Sequence, residues 1–188
     1  MPKQKSTKPT PTLDAKSVRI LLSTYILAQL YKNKNTTFDC FVQVKNLRLL
    51  YLTWLAYVAS MPNYQIPKTN PMSMFEFYRC DKGPAPEIEQ QDINLMHENL
   101  AKKSNLTPAY NFVKQKMSPA ELVRLDKAIE LVEREFMKYD TYLLNAITCE
   151  TLVLTDRSPC FHSLDLSQKN INDECRALQE MLKPQKIH

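Results

Sequence analysis

The chain has 188 residues, 44 % of them apolar and 24 % charged, which fits one medium domain with tails and is too short for two large ones. It has a single glycine, Gly83, where an average chain would carry about thirteen; dinucleotide fingerprints, P-loops and the glycine-flanked serine elbow each need more than one in a short stretch and are excluded. The net charge is +5, from 25 Lys and Arg against 20 Asp and Glu; most of the excess sits on residues 1–16, which leaves the body too near neutral for a domain-wide nucleic-acid footprint.

Residues 1–16 are rich in Pro, Thr and Lys and almost free of apolar side chains, so they read as a disordered basic leader ahead of a single helical domain over 17–183. Lys3, Lys5, Lys8 and Lys16 give this arm its charge, and with it a route to nucleic acid. Asp14 suits a helix N-cap, and Val18, Leu21, Leu22, Tyr25 and Ile26 follow at helical spacing. Residues 33–37 read as a polar turn. From Val42 to Ser60 the chain is apolar almost all round, with Leu47, Leu50, Tyr51, Trp54, Leu55 and Val58 on one side and Leu49, Leu52, Ala56 and Tyr57 elsewhere. A helix of that kind must be wrapped by others, so it is expected to be the buried central post. Its longest apolar run, Leu49 to Ala59 apart from Thr53, is 11 positions, short of the roughly 18 needed to span a bilayer.

Five prolines then interrupt the helical pattern between Met61 and Pro86. The run Met74 to Tyr78 suggests a short extended segment, and Asp81-Lys82-Gly83-Pro84 is a turn signal. A new helix is expected from about Pro86 or Glu87 to Lys103, through Ile88, Ile93, Leu95 and Met96. Ser118-Pro119-Ala120-Glu121 is a capping box with proline at the first helical position. Leu122, Leu125, Ile129, Val132 and Phe136 then mark an amphipathic helix, with Asp126 and Glu130 read as its solvated face. A further helix carries Tyr142, Leu143, Ala146 and Ile147, and a last one, over 167–183, carries Ile171, Cys175, Leu178 and Leu182. The fold class predicted is all-α: a compact bundle around a buried helix, with one short extended segment near 74–78.

Chemistry is sparse. Five cysteines at wide spacing, with no apolar leader ahead of them, point to free thiols in a reducing cytoplasm. Cys160-x-His162, near Cys149 and Cys175, is one loose pair where structural zinc asks for close pairs, so no metal site is expected. His97, in Leu95-Met96-His97-Glu98-Asn99, reads as a solvated or half-buried helix side chain and not as a base, and His188 is the last residue. No catalytic residue and no cofactor is expected, and the chain reads as a non-enzyme. The stretch Phe75, Phe77 and Tyr78 beside Arg79 and Lys82 has two readings: a loop that presents rings and cations to a protein partner, or a strap packed over the bundle. Packing is the default for Phe75 and Phe77, and the Asp81 to Pro84 turn is the part expected to be exposed.

The order of these features resembles that of SocA-like antitoxin domains, also called Panacea domains. Lys45-Asn46-Leu47-Arg48-Leu49-Leu50-Tyr51-Leu52 is similar to their Leu-Leu-Tyr helix. Phe77-Tyr78-Arg79-Cys80-Asp81-Lys82-Gly83-Pro84-Ala85-Pro86-Glu87-Ile88 is similar to their aromatic, Gly-Pro turn and following helix. Leu125-Asp126-Lys127-Ala128-Ile129, Leu143-Leu144-Asn145-Ala146-Ile147-Thr148 and Ser158-Pro159 follow in the family's order. The chain departs from the pattern at Cys149, where the family has His, and at Phe77 or Tyr78, where it has Trp. The resemblance implies a mainly helical, non-catalytic protein, of bacterial, prophage or phage origin, that neutralises a partner toxin by binding it or delivers it to a protease. The partner surface it implies comprises Phe77, Tyr78, Arg79, Asp81, Lys82, Gly83, Pro84, Pro86 and Glu87. The competing expectation is a self-associating structural or accessory protein, of phage or viral kind, whose basic arm touches nucleic acid.

Overall fold

A computed structural model of the chain describes residues 13–32, 42–61, 63, 65–80, 83–86, 88–150 and 162–182. Its described elements are α1 (Ala15–Leu30), α2 (Val42–Ser60), β1 (Phe77–Cys80), β2 (Gly83–Pro86), α3 (Gln90–Ala101), α4 (Thr107–Lys116), α5 (Pro119–Phe136), α6 (Thr141–Glu150) and α7 (Gln168–Met181). Single 3-10 turns at Pro71–Met74 and Lys103–Leu106 join them. The molecule is mostly helical, with one small sheet, as the composition requires. No described helix is long and apolar enough to cross a membrane.

α2 is the post. Tyr51 to Val58 are buried without interruption, and α1, α5, α6, α7 and β2 all pack on this helix. Because its apolar residues leave no polar stripe, no face is left for water, and neighbours must cover it from every side. Arg48, near its start, donates through its guanidinium to the backbone oxygens of Met137 (2.9 Å) and Tyr139. Those carbonyls lie at the C-terminal end of α5, where a cation offsets the negative helix end.

The other helices are placed by their caps and stripes. Asp14 accepts from Ser17 N at 2.7 Å and starts α1. α1 therefore takes in Lys16, which the sequence assigned to the leader. Lys16 pairs with Glu89 at 3.1 Å and Asp92 at 3.2 Å, the two acids at the start of α3. α3 begins at Gln90 rather than at Pro86 or Glu87, because Pro86 belongs to β2 and a Glu89/Asp92 capping box opens the helix. It buries Ile93, Met96 and Leu100, and leaves Leu95 exposed.

The Ser118/Glu121 capping box of α5 is present, and Leu125, Ala128, Ile129, Val132 and Phe136 form its buried stripe. α4, which the sequence reading passed over, buries Ala109, Phe112 and Val113. α6 is rotated relative to expectation: Leu144, Ile147 and Thr148 are buried, while Tyr142 is 81 % exposed. α7 closes the end of α2. It buries Ile171, Cys175 and Leu178, with the Cys175 thiol on Val58 O at 2.8 Å. Gln168 donates to Met61 O at 3.2 Å. Asn172 accepts the N–H of Asn63 at 2.9 Å, and Asn63 stands in the left-handed region at φ 53°.

The extended segment lies later than 74–78. Asn70 caps the 3-10 turn Pro71–Met74 by accepting from Met72 N at 2.8 Å. Strand β1 then pairs antiparallel with β2, in the register Phe77↔Pro86, Tyr78↔Ala85, Arg79↔Pro84 and Cys80↔Gly83. On its other side β1 meets the segment 162–164: Arg79 N donates to His162 O at 3.1 Å and Leu164 N to Phe77 O at 2.7 Å. Since backbone groups alternate along a strand, Phe77 and Arg79 face that segment, and Tyr78 and Cys80 face β2. Pro84 and Pro86, opposite Arg79 and Phe77, thus fall where a missing N–H costs the ladder nothing.

Candidate interaction surface

The hairpin has a buried root and an outer face. Phe77 is fully buried. Its ring lies 4.7 Å from Trp54 and 4.9 Å from Tyr57, and stacks on Phe75 at 5.5 Å. These four rings join α2 to the strand, each contact worth roughly 0.5–1.5 kcal/mol beyond the area it buries. Burial pushes the Tyr57 phenol up to about 12, so it stays neutral.

Residues alternate across the strand, so Tyr78 and Ala85 share the opposite face with Ser163. Tyr78 and Ala85 are half-buried, while Ser163, His162 and Glu76 are exposed. Tyr78 donates to Glu76 at 3.2 Å, and Glu76 stands 3.9 Å from the Arg19 guanidinium of α1. The outer face is therefore one aromatic ring with a serine and an arginine-matched carboxylate, carried on a rigid base. Such a surface offers hydrogen bonds and a flat ring at small ordering cost, the properties of a protein-docking patch.

Of the residues expected to bind a partner, Tyr78 and Arg79 are half-buried on the hairpin. Phe77, Pro84 and Pro86 are buried. Alternation turns their side chains toward the core, where they support the hairpin. Gly83 pairs with Cys80 in the ladder. Asp81, Lys82 and Glu87 lie outside the described residues, as do Lys3, Lys5 and Lys8. Lys16 leaves the set of arm lysines, since its ammonium is matched by Glu89 and Asp92.

Sequence reasoning missed His162, Ser163 and Glu76. The first two reach β1 from more than 80 positions away, and no local pattern reports such a pairing. Glu76 was passed over as a polar residue within an aromatic run.

Cys160 and the side chain of Cys149 lie outside the described residues, His162 is exposed and Cys175 is buried. Among the described residues no three of His, Cys, Asp and Glu gather closely enough to hold a metal. A shallow, open cleft between the end of α2 and the start of α5, lined by Ser60, Met61, Asn70, Met72, Met117 and Glu121 among others, has a cavity volume of only about 10 Å³. Small-molecule pockets run to roughly 300–1,000 Å³. Asn70, buried there, donates to Glu121 at 2.7 Å, which ties the 3-10 turn to the α5 cap. Asp126 is also not the freely solvated acid expected of its helix face: it is half-buried and accepts the Tyr25 hydroxyl at 2.7 Å.

No family model matches the chain, and neither the curated proteins nor the solved structures contain a significant match to it.

Proposed function

We propose that the protein is a non-catalytic binding module that docks a protein partner on the outer face of the hairpin. The observation that carries this reading is the division of labour across β1: Phe77 is locked into the aromatic root, while Tyr78, beside Glu76 and Ser163, faces outward. A patch so braced gains affinity because little freedom is lost on binding.

The motif order that resembles SocA-like domains supports the narrower reading of an antitoxin-like protein, one that neutralises a partner toxin or delivers it to a protease. Co-expression with the product of the adjacent reading frame tests both. Rescue of growth and co-purification are expected for the unaltered chain. Tyr78→Ala is expected to weaken co-purification about tenfold or more, as loss of an interface aromatic does, with little change in melting temperature. Co-purification that survives Tyr78→Ala undiminished removes the hairpin face as the docking site. Absence of both rescue and co-purification removes the antitoxin reading.

A further inference from the structure

We draw no further inference here: the strongest candidate, the exposed apolar surface patch of Tyr142 and Leu143 at the start of α6, carries nothing because nothing in the structure shows what covers it.

Discussion

Leu125 and Ile129 lie on the buried stripe of α5, in its second and third turns, and both are almost fully buried. Truncating either to Ala removes apolar contacts and leaves a cavity, so each is expected to cost about 2–5 kcal/mol in urea or thermal unfolding. Phe77→Ala should fall at the upper end, about 3–5 kcal/mol, because three rings lose a neighbour at once. Tyr78, one position along, should change stability far less while changing binding. Cys175 provides a test by pH. Burial, with Glu174 adding to it, pushes its thiol up to about 12. A raised folded-state value means that stability is fully present below the unfolded value, near 8.5, and is lost as pH rises toward 12. Stability measured from pH 8 to 11 should therefore decline, and Cys175→Ser should flatten the first part of that decline. A thiol reagent at neutral pH should label Cys175 only on unfolding.

Elements differ in how openly the sequence announces them. α2 and α5 were legible because their signals are local: an apolar run with no polar stripe, and a capping box followed by a 3,4 repeat. α4 was equally legible and was overlooked; Leu106, Ala109, Val113 and Met117 keep helical spacing behind Thr107-Pro108. The face of α6 was not legible. Tyr142 and Leu143 are apolar but exposed, and only the neighbours of α6 decide which side turns inward. β2 was hidden because two prolines in four residues argue against a strand; they are tolerated there because β1 asks for no donor at either position. The buried half of the expected site follows from the same alternation. One of the contacts that dock α7 comes from a residue in the left-handed region, Asn63. Asn63→Gly should leave stability unchanged or raise it slightly, since glycine adopts φ 53° freely. Asn63→Val should lower stability by roughly 1–2 kcal/mol, read as the shift in denaturation midpoint.

At the scale of the molecule, helices wrap one apolar post, and the hairpin is fastened to that post by rings and to the chain's later part by the segment 162–164. The Lys16 contacts to Glu89 and Asp92 join α1 to α3 at the opposite end of sequence order. Glu89 is held below the usual carboxylate range by Lys16, and Lys16 is raised by Glu89 and then Asp92. The clasp's contribution is therefore full between the ordinary carboxylate and lysine values, fades beyond them, and is gone once pH falls below the lowered Glu89 value or rises above the raised Lys16 value. The prolines of β2 act on a longer scale. Where their N–H groups would point away from β1 there is only carbon, and the Pro86 carbonyl is already taken by Ile88 N at 2.7 Å. A foreign strand arriving from that side finds almost nothing to zip onto, so the hairpin stays a terminus instead of seeding a growing ribbon. Replacing Pro84 and Pro86 together with Thr should restore that row of donors, and light scattering at rising concentration should then reveal multimers that the parent chain does not form.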